Sequence, residues 1–142
     1  MKKIPALLIL NVLYFLLPLT SAARGKYVVD SMESAILGEM RHFAVYLPES
    51  YDNDTVREYP VLYLLHGGGG SWGDWGHVGN MVRIADQLMA AGESRQMIIV
   101  MPDAGTTLMT YFNGGSWNFE DHFFNEFMPV VENRYRIRAE KG

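Results

Sequence analysis

The stretch Glu58-Tyr-Pro-Val-Leu-Tyr-Leu-Leu-His-Gly-Gly-Gly-Gly-Ser-Trp-Gly-Asp-Trp75 constrains this chain more than any other. Val61 to Leu65 is an unbroken apolar and aromatic run, the pattern of a buried strand. It ends at His66 and opens into Gly67-Gly-Gly-Gly70. A backbone stiff enough for a sheet and then suddenly free of side chains can bring its N–H groups close to a ligand.

The N-terminus carries a second signal. Lys2 and Lys3 precede the apolar run Ile4 to Leu19, and Thr20-Ser-Ala-Ala23 supplies small residues before Arg24. That layout predicts a secretory signal peptide over residues 1–23, cleaved after Ala23. About 16 apolar residues are short for a membrane span of roughly 20, so no stable membrane anchor is expected. Residues 24–142 then form one domain segment.

Downstream, strands and helices alternate. Val28 to Ile36 and Met40 to Leu47 read as two strands around a turn at Gly38. Phe43, Val45 and Leu47 fall on one face of the second, and His42, Ala44 and Tyr46 on the other. Asn80 is placed to cap a helix running to about Ala91, with Met81, Ile84, Ala85 and Leu88 on one face and Gly92 as its stop. Gln96 to Met101 is a uniformly apolar strand, of the kind covered by helices on both faces. A loop from Gly105 to Trp117 leads to a last helix with Asn118 as its expected cap. Phe119, Phe123, Phe127 and Val131 form its buried stripe, Pro129 should kink it, and Arg134 and Arg136 lie near its C-terminal end. The order implies an α/β architecture, a mixed, mostly parallel sheet with helices on both faces.

Composition narrows the chemistry. With 49% hydrophobic residues the chain can bury a core, and with no cysteine it has neither disulfides nor thiolate metal sites. The formal charge of −4, with no basic face beyond Arg134, Arg136 and Arg138, argues against nucleic acid as a partner.

Several pieces in order carry a resemblance: Tyr46-Leu-Pro48 with Tyr51-Asp52, Tyr59-Pro-Val-Leu-Tyr-Leu-Leu-His-Gly67, Trp75, Ile98-Ile-Val-Met-Pro-Asp103, Phe123-Phe-Asn-Glu-Phe-Met-Pro129 and Tyr135-Arg136. Over nearly all of residues 28–138 the chain resembles the "putative esterase" family of α/β-hydrolases. That group includes feruloyl and acetyl xylan esterases, S-formylglutathione hydrolases and mycolyltransferases. The resemblance implies an α/β-hydrolase fold and a secreted serine esterase acting, without cofactor, on acetyl or feruloyl esters of plant polysaccharide. An acyltransferase on the same scaffold, or an inert or glycan-binding truncated module, are the alternatives.

In such an enzyme a serine attacks the ester carbonyl, a histidine takes its proton and an acid orients the histidine. Backbone N–H groups stabilise the oxyanion. By motif position Gly68 supplies one donor. Gly67, Gly69, Trp72 and Trp75 are the expected substrate-side residues. The nucleophile belongs to a G-x-S-x-G elbow on a strand after the last helix, followed by the acid and the histidine. The sequence reaches Gly142 where that strand is expected to begin. The chain is therefore expected to be an N-terminal portion, truncated before the elbow and inactive alone.

Two literal motifs compete in the glycine loop. Gly69-Gly-Ser-Trp-Gly73 matches G-x-S-x-G, with Asp74, Asp86, Asp103, His77 and His122 as conceivable partners. Ser71 nevertheless lies six positions beyond Leu65 and precedes a poor helix start. Gly68, Gly70 and Gly73 match G-x-G-x-x-G, but the helix is expected only near Asn80, and Glu93 follows it rather than ending a strand. His66 reads as a strand-end residue shaping the turn, or as a base. Asp103 reads as a turn residue or a cleft residue. Asp74 and His77 are too few for a metal site, so none is expected. Trp72, Trp75, Tyr111 and Trp117 could offer aromatic surface to a sugar or phenolic acyl group, or simply pack. The strand at 97–101 is expected to be the sheet edge left uncovered without the elbow strand, making residues 24–142 prone to aggregate.

Overall fold

The computed structural model describes residues 24–105 and 111–138. The expected signal peptide, part of the loop after Gly105 and the last four residues lie outside the described residues. Four strands, β1 (Lys26–Ser34), β2 (Glu39–Leu47), β3 (Val61–Tyr63) and β4 (Ile98–Pro102), form one sheet in the order β1-β2-β4-β3. The helices are α1 (Asp74–His77), α2 (Met81–Ala90), α3 (Phe119–His122) and α4 (Met128–Arg134). A 3-10 turn at Glu49–Tyr51 precedes β3, and a π-helical turn at Phe123–Phe127 joins α3 to α4.

β1 and β2 make an antiparallel hairpin from Lys26↔Leu47 to Ser34↔Glu39. Gly38 at its turn has φ +70°, a conformation glycine adopts without strain. β2 pairs antiparallel with β4, and β4 pairs parallel with β3. The alternation along β2 works on both faces. Phe43, Val45 and Leu47 pack with Tyr59, Ile98, Val100, Phe127, Val131 and Ile137 beneath the C-terminal helices. Ala44 and Tyr46 pack with Ile99, Met101, Met81 and Ala85 beneath α2. Helices thus cover both faces, and every residue of β4 is buried.

That burial corrects one expectation. The strand at 98–102 is central, held by β2 on one side and β3 on the other. The edge on this side of the sheet belongs to β3, because the chain crosses over it to insert β4 beside β2. Leu62, which shares a face with its partner Ile99, stays 44% exposed there.

The helices differ from expectation at their ends. Asn80 occupies the N-cap position of α2 with φ +51° but makes no capping side-chain bond. Gly92 does end the helix, with φ +72°. Met81 and Ala85 are buried, whereas Ile84 and Leu88 are exposed, since α2 sits over β2 and β4 rather than over the open edge. Asn118 makes no side-chain cap either. Instead Asn113 Oδ1 accepts the Asp121 N–H at 3.2 Å.

The aromatic stripe holds. Phe119, Phe127 and Val131 are buried, and Phe123 stacks on Phe127 with centroids 5.8 Å apart. Pro129 lies in the first turn of α4, directly after the π turn, so the ladder widens where the proline withholds its N–H. Arg134 then binds Asp30 at 3.0 Å, while Arg136 lies 3.7 Å over the Tyr51 ring. These contacts bring Ile137 beside Tyr59 in a parallel bridge: the Tyr59 N–H donates to Arg136 C=O at 2.9 Å, and the Arg138 N–H to Tyr59 C=O at 2.8 Å. The chain therefore arrives at the open side of β3.

Candidate active site at the ends of the parallel strands

β3 and β4 run parallel, so the segments after them, Leu64–Gly70 and Asp103–Gly105, emerge at one edge of the sheet. Ligands gather at that edge in open α/β sheets. Gly67 to Gly70 closes a tight turn, with the Gly70 N–H donating to Gly67 C=O at 3.0 Å. Gly69, its third residue, has φ +77°, as a type II turn requires. Gly68, its second, is exposed, and a methyl group added at Gly67, Gly68 or Gly69 would meet nothing within 4 Å. Among the described residues, no group accepts a hydrogen bond from the Gly68 N–H.

The turn is held from behind. His66 Nδ1 lies 2.8 Å from Gly67 O, and the Ala104 N–H points at Nε2 from 3.1 Å. A carbonyl can only accept and an amide N–H only donate, so Nδ1 carries the proton and Nε2 is bare. The ring is a neutral brace between the ends of β3 and β4, with both nitrogens occupied. Asp103 Oδ1 stands 3.5 Å from Nε2, but with no proton on that nitrogen the pair is not ionic. Trp75 Nε1 donates to Leu65 C=O at 2.9 Å, and Tyr111 OH to His66 C=O at 2.8 Å. Burial, joined by the Asp103 carboxylate, raises the Tyr111 pKa to about 12, so its hydroxyl stays a donor.

Ser71 is wired locally. Its Oγ donates to Asp74 Oδ1 at 3.0 Å and accepts the Gly73 N–H at 3.3 Å, closing the turn into α1. The strand is long finished and no imidazole is bonded to Oγ. This is not an elbow. The dinucleotide pattern fares no better: only the four-residue α1 directly follows Gly73, and Glu93 lies exposed in the turn after α2.

The other candidates mostly pack. Trp72 and Trp75 are half-buried against the layer beneath α2. Trp117 stacks on Phe119, and the Arg41 guanidinium lies 5.5 Å from its ring. Asp103 takes the turn role: Oδ1 accepts the Gly105 N–H at 2.8 Å, and its carbonyl accepts from Arg41. His77 lies edge-on to Tyr27. Among the described residues no three ligands converge as a metal site would need. A cleft of about 270 Å³, lined by Leu65, Tyr111, Phe112, Phe119, Phe123 and Phe124, opens beside the end of β3.

One cluster escaped the sequence. Ser34, His122 and Glu126 have the residue types of a triad, yet the Ser34 hydroxyl donates to Glu126 Oε2 at 2.6 Å and His122 Nδ1 meets the same oxygen at 2.9 Å. The carboxylate stands between the other two, so the imidazole cannot take the serine proton. Burial lowers the His122 pKa despite the Glu126 charge, with Arg41 adding to the drop. Burial alone would raise the Glu126 pKa, but bonds from His122, Ser34 and the Ile36 N–H outweigh it and hold it below the usual value. The i, i+4 spacing of His122 and Glu126 was the only sequence signal.

A mixed sheet with helices on both faces and a glycine turn at the parallel strand ends forms part of an α/β-hydrolase fold. The sequence profile described as "Putative esterase" matches residues 34–141, and the chain belongs to that family. It is 31% identical over 110 residues to an endo-1,4-beta-xylanase/feruloyl esterase of Xylanibacter ruminicola, a match covering 73% of this chain and 15% of that protein. A solved ferulic acid esterase superposes with a TM-score of 0.77 at 38% identity, covering 80% of this chain and 46% of that one. The feruloyl esterase module of Clostridium thermocellum, solved with sinapinate, gives 0.70 at 27% identity, covering 83% and 39%. The chain thus spans less than half of each of these relatives.

Proposed function

We propose that this chain is the N-terminal portion of a secreted serine esterase that hydrolyses acetyl or feruloyl esters on plant polysaccharide. One observation carries the reading: the exposed Gly68 N–H, without an acceptor among the described residues, sits on a side-chain-free turn at the ligand edge of the sheet. Such a donor suits the oxyanion of a tetrahedral intermediate, where one donor is worth roughly 3 kcal/mol. Gly67 and Gly69 leave room for the acyl group. Trp75 holds Leu65 through its indole N–H, and Trp72 packs beside it, so both flank the substrate side mainly by fixing the turn.

The nucleophile, its acid and its histidine come from the chain that follows Gly142, and the second donor is the residue after that serine. No cofactor enters this chemistry. The feruloyl and xylan-linked relatives support the substrate class.

The secreted location rests on the Lys2–Ala23 pattern. Anchoring of the fold from residue 25 onward also supports it: the Gly25 N–H donates to Asp86 Oδ1 at 2.8 Å, and a Cβ on Gly25 would stand 2.3 Å from the Tyr46 ring. Among the described residues no helix is long and apolar enough to cross a membrane. N-terminal sequencing of the secreted protein should begin at Arg24.

The decisive test is the reading frame beyond codon 142. A G-x-S-x-G within about 20 codons, and hydrolysis of methyl ferulate or acetylated xylan by its product, are expected. A stop codon at 143 with an inert product would overturn the proposal.

A further inference from the structure

We propose that His66 is a positioning residue that aims the Gly68 N–H, an inference that rests on the donor role just assigned to Gly68. The Gly67 carbonyl and the Gly68 N–H belong to one planar unit, and no cis peptide occurs among the described residues. In a trans unit the two groups point in opposite directions. Whatever holds the carbonyl therefore aims the N–H.

Two donors hold that carbonyl. The Gly70 N–H, 3.0 Å away, belongs to the turn itself and moves with it. His66 Nδ1, 2.8 Å away, does not, because its ring is anchored through Nε2 to the Ala104 N–H at the end of the central strand. Its side chain is only 4% exposed. Four successive glycines resist rotation of a peptide plane less than any other sequence, so the turn needs an external brace to keep one direction. A carbonyl bonded twice also polarises its amide, which strengthens the N–H on the far side as a donor. Both ring nitrogens are engaged with backbone groups. The ring acts through Gly68.

The test uses the complete enzyme and two substitutions that divide the ring's bonds. In His66→Asn the side-chain amide can still donate to Gly67 C=O. In His66→Gln the carbonyl oxygen can reach the Ala104 N–H, but the donor to Gly67 is lost. His66→Gln should lower kcat roughly ten- to hundred-fold with KM little changed, as a displacement of about 1 Å does at a reacting centre. His66→Asn, which keeps the bond to Gly67 but loses the anchor at Ala104, should fall less than His66→Gln. Affinity for a boronic acid, which binds as a tetrahedral anion, should fall in parallel with kcat. A folded His66→Gln enzyme with undiminished kcat and boronate affinity, or one altered in KM alone, would overturn the inference.

Nitrogen-15 NMR of the unsubstituted protein provides a readout independent of folding in the variants. It should place the His66 proton on Nδ1, and a proton on Nε2 would refute the brace. If the natural enzyme hydrolyses no ester, the donor role of Gly68 fails instead, whatever tautomer His66 shows.

Discussion

Ser34 Oγ donates a 2.6 Å hydrogen bond to Glu126 Oε2, joining the end of β1 to the π turn across 92 positions of sequence. The other carboxylate oxygen accepts the N–H groups of Ala35 and Ile36 at 3.0 and 3.1 Å. One side chain thus ties the β1–β2 turn to the C-terminal helices. Glu126→Ala would leave the buried Ser34 hydroxyl and His122 ring without their partner. It should cost about 2–4 kcal/mol in unfolding free energy, measured by urea titration.

The same cluster sets a pH dependence. His122 has its pKa lowered by burial, so the folded state resists its protonation. Its contribution is intact above the unfolded value of about 6.5 and is lost as pH falls below it. Glu126 has a folded pKa held below the ordinary value near 4.5, so its contribution is present above that value and lost as pH falls through the lowered one. Melting temperature should therefore be level above pH 7, decline below about 6.5 and drop more steeply below about 4.5. Glu126→Gln should shrink the lower step and deepen the upper one, because the Glu126 charge opposes the effect of burial on His122.

Ser71 supplies a separate prediction because its hydroxyl closes the turn into α1 and touches no histidine. Ser71→Ala should lower stability by about 1 kcal/mol, as loss of a local cap does. In the complete enzyme kcat should remain within about three-fold, since no step passes through this oxygen. Loss of ester hydrolysis in a folded Ser71→Ala enzyme would mean that the nucleophile lies in the glycine loop after all.

The open side of β3 governs how residues 24–142 behave alone. Leu62, Leu65, Phe112 and Phe124 are exposed around it, with Phe124 at 58%. A strand edge bordered by apolar side chains is a template for association. Sedimentation of the isolated segment should show concentration-dependent oligomers. A monomer with a sharp cooperative melt would contradict this, and Leu62→Lys with Phe124→Glu should reduce the association.

Much of this architecture was legible in residue patterns. The Phe119, Phe123, Phe127, Val131 repeat located the buried stripe because helical periodicity needs only local spacing, and β2 announced both its faces by alternation. Strand order was not legible. Nothing local in Ile98 to Met101 says that this strand inserts between β2 and β3, although its complete burial is the physical consequence. Residue type alone suggests Asn80 and Asn118 as caps, yet neither side chain caps its helix, and at α3 the capping oxygen comes from Asn113 across a loop. At the site, the glycine run exposed the turn, but the tautomer and task of His66 depend on Ala104, 38 positions away. The Ser34–Glu126 bond is longer-range still.

The central claim is that the Gly68 N–H stabilises an oxyanion, and the turn itself offers a clean way to remove that one atom. Gly68 is the second residue of a type II turn, a position that favours proline, and its Cβ would enter open space. Gly68→Pro deletes the N–H while suiting the turn, and Gly68→Ala keeps it. The measurement is kcat for methyl ferulate in the complete enzyme carrying each change. We expect Gly68→Ala to stay within about ten-fold of the natural enzyme and Gly68→Pro to fall by roughly 100- to 1000-fold with its melting temperature preserved. A folded Gly68→Pro enzyme with near-natural kcat would contradict the account.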